Sequence, residues 1–273
     1  MPDLITAAYA KRRINQDSFT SGEDDTIDEL ITAVSKAIQR YCRRQFDAQT
    51  FDQLHDGTNS SVLALREFPI LSVARVAYGP ATVLNVTNTS AANQRATVAV
   101  TSTGLALVRV ASGVITTDAP TFAANVTLAA LATAVNALGN GWSASVVPGH
   151  EDRASADLRA TQGAFDAKNI HAALRMHINE LSQYEVNAER GWLIRGYSDP
   201  DFEDQGAVWH GGWHYYRIIY TAGFATVPED VQEAAAEWVA ALFWQTKDNP
   251  ASYPELPPTH AALLLNPYRK LRI

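Results

Sequence analysis

Cysteine is almost missing from this chain: Cys42 is the single one in 273 residues. An internal disulfide framework is therefore excluded, and the composition fits a reducing compartment or a protein indifferent to redox. Cys42 lies between Tyr41 and Arg43 on an expected helix, where a partly buried small hydrophobe is the expectation rather than an activated thiol. Long apolar runs are missing too. No stretch of 18 apolar residues occurs, so no membrane span is expected, and Lys11-Arg12-Arg13 is not followed by the apolar core of a secretory leader. Positive charge is in the minority, with 22 Lys and Arg against 29 Asp and Glu, a net charge of −7 and a pI near 5.5. A general nucleic-acid binder usually carries a basic face, so that class is disfavoured. Lys11-Arg12-Arg13 and Arg40, Arg43 and Arg44 remain as local patches for phosphate, for pairing between subunits or for ordinary surface charge.

The familiar catalytic signatures are also lacking. There is no Gly-x-Ser-x-Gly elbow, no Gly-x-x-x-x-Gly-Lys phosphate loop and no Gly-x-Gly-x-x-Gly fingerprint. Catalytic groups can be scattered along a chain, so these absences narrow the field without closing it. His210 and His214 have the spacing of two helical metal ligands, but Gly211 and Gly212 between them argue against a helix, and no Cys or carboxylate cluster completes a site. His171 and His177 fall in a helix-or-loop region without partners. Asp199, Asp201, Glu203 and Asp204 form an acidic loop without calcium-ligand spacing. Trp209, Trp213, Tyr215 and Tyr216 gather aromatics around glycines, as expected for core or inter-subunit packing. No cofactor and no metal is expected.

With 47% hydrophobic residues, a substantial core can be buried. Residues 1–23 read as an N-terminal arm with room for one short helix. A strong helix follows, with capping-box spacing at Thr26 and Glu29. Ile27, Leu30, Ile31, Val34, Ile38 and Tyr41 fall on one stripe, and Arg40, Arg43 and Arg44 load its end. Thr50 to Leu54 and Ser61 to Leu65 read as a hairpin around His55-Asp56-Gly57-Thr58-Asn59-Ser60, and Ser72 to Tyr78 as a third strand. Composition then shifts at Gly79-Pro80. Residues 80–179 are rich in Ala, Thr, Val, Ser and Asn and nearly free of acids and lysine. They contain strands over Thr97 to Thr101 and Leu105 to Val110, a helix over Thr127 to Leu138, and weaker strands over Trp142 to Val147 and Ser155 to Thr161.

The earlier character returns near Glu180. Ser182 to Asn187 and Trp192 to Arg195 read as two strands joined by a turn. The stretch Tyr215 to Phe224 is then a strand closed by Gly223, and Pro228-Glu229-Asp230 opens a helix running to about Lys247. Val231, Ala234, Ala235, Trp238 and Leu242, with Phe243 or Gln245, form its stripe. Residues 251–273 are a proline-rich tail with one short helix near Thr259 to Leu265, ending in Tyr268-Arg269-Lys270-Leu271-Arg272-Ile273.

Three pieces in this order carry a resemblance. They are Ile38-Gln39-Arg40-Tyr41-Cys42-Arg43-Arg44-Gln45-Phe46; the segment with Asp56-Gly57, Leu63-Ala64-Leu65, Phe68-Pro69-Ile70 and Ser72-Val73; and Arg217-Ile218-Ile219-Tyr220-Thr221-Ala222-Gly223-Phe224 leading into Val227-Pro228-Glu229-Asp230-Val231. Together with Gly191-Trp192-Leu193, they resemble the head–tail connector, or adaptor, proteins of tailed bacteriophages. The resemblance covers residues 24–79 and 180–250, a discontinuous core, and the insert at 80–179 departs from it. It implies a ring of about twelve copies beneath the portal, extending the DNA channel and docking a stopper or tail-completion protein, in the neck of a virion assembled in the host cytoplasm. DNA would pass without sequence-specific binding. It further implies that the tail, Tyr268, Arg269, Lys270, Leu271, Arg272 and Ile273, reaches the portal.

The expected fold class is α+β: a helical adaptor core with a small antiparallel sheet, interrupted by a β-rich inserted domain. Ile27, Leu30, Ile31, Val34, Ile38, Val231, Ala235, Trp238 and Leu242 are the helix faces expected in the core or between subunits. The expected role is structural and not enzymatic. The alternatives are a head-closure or tail-completion protein of the same region or, more distantly, a carbohydrate-active enzyme with paired carboxylates at Asp201 and Glu203.

Overall fold

The computed structural model describes residues 3–196, 207–248 and 257–270. The fold is α+β. Five α-helices and twelve strands are distributed over three hydrophobic clusters among the described residues.

The helical cluster is built from α1 (Ala7–Ile14), α2 (Ser21–Cys42), α4 (Glu229–Asp248) and α5 (Thr259–Leu265). The stripe of α2 turns Ile27, Leu30, Ile31, Val34 and Ile38 inward, where Val231, Ala235, Trp238 and Leu242 of α4 meet them. All nine of these residues are buried within one chain. The alanines at 234, 235 and 236 are fully buried and let the neighbouring helices approach α4 closely.

The N-terminal arm is thus part of this cluster. Helix α1 packs on α4, with Ala10 and Ile14 buried. Helix α2 begins earlier than the sequence suggests. Its capping box is Thr20 with Glu23, not Thr26 with Glu29. Both pairs have the required spacing, and ion pairs from other helices accompany the earlier start: Lys247 reaches Glu23 at 2.7 Å and Lys11 reaches Asp24 at 2.7 Å. Thr26 instead lies inside the helix and donates its hydroxyl to the Gly22 carbonyl.

The central sheet joins β1 (Gln49–Gly57), β12 (Gly212–Ala222), β3 (Ile70–Asn88), β7 (Trp142–Val146) and β9 (Ala172–Glu180), all antiparallel. Strand β3 is its spine. Residues 70–78 pair with β12, residues 84–88 pair with β7 on the same edge, and β9 takes the opposite edge. The composition break at Gly79-Pro80 therefore falls in the middle of one continuous strand. Even so, every buried residue of the second cluster lies between Val83 and Met176. That cluster includes β4 (Asn93–Val100), β5 (Leu105–Ala111) and α3 (Leu128–Ala137). Beside β5 lies β6 (Val114–Asp118), and β4 also pairs with the short β8 (Phe165–Asp166). Thr127 caps α3, as its sequence suggests.

Three sequence expectations need correction. The Ser61 to Leu65 strand is β2 (Val62–Ala64), but it does not form a hairpin with β1. It pairs with β11 (Trp192–Ile194), which also pairs with β10 (Glu185–Asn187). The long central β12 offers β1 eight cross-strand pairs, so β1 pairs there instead, with Phe51 opposite Tyr220. Ser155 to Thr161 is not a strand; it holds a 3-10 turn over Ser155–Asp157. His177 lies in strand β9 (Ala172–Glu180), which His171 immediately precedes, with Ala172, Leu174 and Met176 buried on one face.

Candidate assembly surfaces

The strand-to-helix corner between β12 and α4 is tightly packed. Gly223 has φ +120°, and a Cβ there would lie 2.3 Å from the Asp47 carbonyl oxygen. Only glycine fits such an approach at such a dihedral. The Gly223 amide donates to the Pro69 carbonyl and the Phe224 amide to the Phe46 carbonyl, each at 2.9 Å. The corner is thus sewn to the end of α2 and to the Phe68-Pro69 turn, whose peptide bond is cis.

Arg44 stands at the centre of this junction, only 7% exposed. Its guanidinium lies 4.7 Å from the Phe68 ring centroid, 5.3 Å from that of Phe224 and 5.8 Å from that of Phe46. It donates to the carbonyls of Phe68 and Tyr268. Burial lowers its pKa from the ordinary arginine value, with the Glu67 charge opposing the shift. Arginine stays protonated even so, which makes these ring faces and carbonyls the substitutes for water. Gly191 meets the same junction from another side, since a Cβ there would sit 2.8 Å from the Phe68 Cβ.

The described part of the tail ends here. Tyr268 packs its ring against Phe46 and Phe224, with centroids 5.9 and 6.0 Å away. The Lys270 amide donates to the Cys42 carbonyl, and its ammonium reaches Glu67 and the Arg66 carbonyl. Arg269 lies over the Tyr41 ring at 5.0 Å. Leu271, Arg272 and Ile273 lie outside the described residues. Cys42 is buried, and burial pushes its thiol pKa up to about 11, which suits a packing role and not a reactive one.

The segment around Asp157 is tied to the sheet by charge. Asp157 lies 2.7 Å from Arg75 of β3 and 3.7 Å from Arg217 of β12. Arg217 also pairs with Asp52 of β1 at 2.7 Å, and Arg75 with Glu180 of β9 at 2.6 Å. The free edge of β7 is closed by Asn136 of α3. Its side-chain amide donates to the Ala144 carbonyl and accepts from the Ala144 amide, a way of blunting an edge strand.

Beyond this lies a cavity of about 530 Å³, between the 159–166 segment, β9 and the start of β12. Arg159, Arg175, His171, Phe165 and Trp213 line it. The sequence expectation for the aromatic cluster divides here. Trp209 is fully buried against Tyr216, whereas Trp213 is 71% exposed. His214, next to Trp213, has φ +49°, uncommon for a non-glycine residue. Its ring stacks on that of Trp213, and its Nδ1 faces Arg159. Among the described residues, no group of three or more His, Cys, Asp or Glu could hold a metal ion. The acidic loop with Asp199, Asp201, Glu203 and Asp204 lies outside them.

No protein-family model and no curated protein matches the chain. Among solved structures, it is similar to a chain in the neck of an empty GTA particle computed with C6 symmetry, with a TM-score of 0.40. A second is a chain in the virion of a native gene transfer agent particle, with a TM-score of 0.35. Each pairing has 13% identity and covers 99% of this chain and 91% of the other.

Proposed function

We propose that this chain is a structural protein of the neck of a tailed, phage-like particle and acts there as a head–tail adaptor. The carrying observation is a convergence. The sequence pieces that resemble adaptors (the end of α2, the Phe68-Pro69 turn, Gly191 and the Gly223-Phe224 corner) are spread from Cys42 to Phe224 in sequence, yet they meet around Arg44. A motif set that builds one junction has a shared structural purpose. That purpose is to set the direction in which the C-terminal tail leaves the helical core.

In this reading, copies of the chain form a ring of about twelve under the portal. The ring continues the DNA channel and receives a stopper or tail-completion protein below, in virions assembled in the host cytoplasm. The tail contacts the portal. Tyr268 and Lys270 are engaged within their own chain and Arg269 lies over Tyr41, so in this reading the tail binds the portal without unseating Tyr268. The chain works by shape and has no catalytic step.

The test is particle mass, measured on the purified chain alone and after mixing with purified portal. The expected result is a portal-bound ring of defined stoichiometry. A chain that never associates with portal overturns the adaptor reading. Assembly without portal binding would favour a head-closure or tail-completion protein instead.

A further inference from the structure

The cavity at Arg159 and Arg175 is unlike the rest of a chain with net charge −7. Two guanidiniums line it, with His171 beside them. No carboxylate lies within ion-pair distance of Arg159 or Arg175 among the described residues. The two arginines are held close, since the Arg159 amide donates to the Arg175 carbonyl at 2.8 Å. Burial lowers the Arg159 pKa, and the Arg175 charge lowers it further. Asp166 is the one acid in the lining, and its Oδ1 accepts from the Lys168 amide. The rim is apolar and exposed: Trp213 at 71% and Phe165 at 45%. Tryptophan and arginine around a pocket are the composition of an interface hot spot.

The complementary chemistry is present on the same chain. The solvent face of α2 exposes Asp25, Asp28 and Glu29, none of them in an ion pair among the described residues. Asp28 and Glu29 open a shallow groove that continues through Thr32 and Ala33 to Lys36 and Arg40. This face belongs to the helical cluster and the arginine cavity borders the insert, so the two surfaces sit on different parts of the molecule.

We propose that the Arg159–Arg175–Trp213 cavity receives the acidic face of α2 from a neighbouring copy of the chain. This inference rests on the ring reading and names its junction. The contact is heterologous, because one surface meets a different surface on the next copy. Repetition of such a contact closes a ring when the rotation permits. Asp28 and Glu29 give the two guanidiniums the carboxylates they lack, while Trp213 and Phe165 cover the neighbouring Thr32 and Ala33.

The test uses the full chain in four forms: unaltered, Arg159→Glu with Arg175→Glu, Asp28→Arg with Glu29→Arg, and all four substitutions together. Self-association is followed by sedimentation and by native mass spectrometry, with circular dichroism to verify folding. Each charge-reversed pair is expected to weaken association at least about tenfold, and the combination to recover most of it, with salt weakening the unaltered junction. A second arm places cysteines by Ala33→Cys and Ala173→Cys. Oxidation is expected to give a ladder of linked copies that needs both cysteines, since Cys42 is buried. Association indifferent to both reversals would place the junction elsewhere and overturn the proposal while leaving a ring intact. Loss without recovery in the four-fold variant would overturn the pairing. A monomer at every concentration with no ladder would also overturn it; portal binding of that same monomer would show the adaptor reading surviving alone.

Discussion

Gly223→Ala is the substitution that most directly tests how the corner is built. Two separate costs are expected. A non-glycine residue held at strongly positive φ costs roughly 1–2 kcal/mol. The new Cβ would also stand 2.3 Å from the Asp47 oxygen, 2.8 Å from its carbonyl carbon and 3.0 Å from the Ala48 Cα. These are backbone atoms, held by the Phe224-to-Phe46 hydrogen bond and the Asp47–Phe224 bridge, so relief requires moving the chain. Overpacking of that kind costs roughly 1–3 kcal/mol. The total is about 2–5 kcal/mol, a loss of roughly 5–15 °C in Tm for a chain of this size. Gly113→Ala is the control. Gly113 has φ +79° with nothing within 4 Å of an added Cβ, so it bears the dihedral cost alone, about 1–2 kcal/mol. Thermal and denaturant unfolding of both variants, beside the unaltered chain, separates the two terms. If the variants agree to within about 0.5 kcal/mol, the clash is unimportant and the corner is not the rigid joint described above.

Two further outcomes follow from burial and from pairing. His55 is buried, and burial, then the Arg66 charge, lower its pKa from the ordinary 6.5 to about 4. The folded chain therefore resists a proton that the unfolded chain accepts, so stability present above pH 6.5 falls as pH drops towards 4, by roughly 3 kcal/mol at most. His177, lowered mainly by burial, acts in the same direction. Denaturant midpoints between pH 7 and 4 should show this slope and should show it reduced in His55→Leu; an unchanged slope would remove His55 from the account. The second outcome concerns the insert. Tyr78 and Asn179 are cross-strand partners, so a two-residue Asn-Gly turn can join them in place of residues 79–178. The shortened chain should remain soluble and cooperative, with a modest loss because Arg75 and Arg217 lose Asp157, about 1 kcal/mol for each part-exposed pair. An insoluble or non-cooperative product would show that the helical and sheet clusters need the insert to fold.

Where sequence reading succeeded, the information was local. The α2 stripe from Ile27 to Ile38, the Thr127 cap, the short helix at Thr259–Leu265 and the strand ending at Gly223 all follow from spacing or from one residue's backbone freedom. Strand β9, by contrast, reads as helix or loop from its histidines, although Ala172, Leu174 and Met176 alternate with Ala173, Arg175 and His177 at the period of a strand. Partner choice was not legible. Nothing near residues 61–65 says that β2 pairs with β11 instead of β1, because that depends on β12, some 150 residues away. Arg44 read as a surface cation at a helix end, and only the meeting of three phenylalanines from separate segments makes it an interior one. The cavity is a long-range product as well: Arg159, Arg175 and Trp213 come from separate segments, and Trp213 lies at the start of β12 beside the positive-φ residue His214.

Strand β3 belongs both to the corner at Gly223 and to the 83–176 cluster. Its first half pairs with β12 and so leads to the corner at Gly223; its second half carries β7 and the cluster between Val83 and Met176. The strand runs through Gly79 (φ +69°), and the Asp157 contacts to Arg75 and Arg217 brace the two parts from the side. On the proposed function, a neighbour seated on the insert's cavity would therefore be placed at a fixed angle to the helical core. The tail is set by the same frame. Removing Tyr268 from its place would strip one aromatic ring from Phe46 and Phe224 and one carbonyl from the buried Arg44, and an ion deprived of partners in the interior is costly. Portal engagement that keeps Tyr268 seated avoids that cost. On the adaptor proposal, the seated tyrosine would then serve as the anchor of the tail.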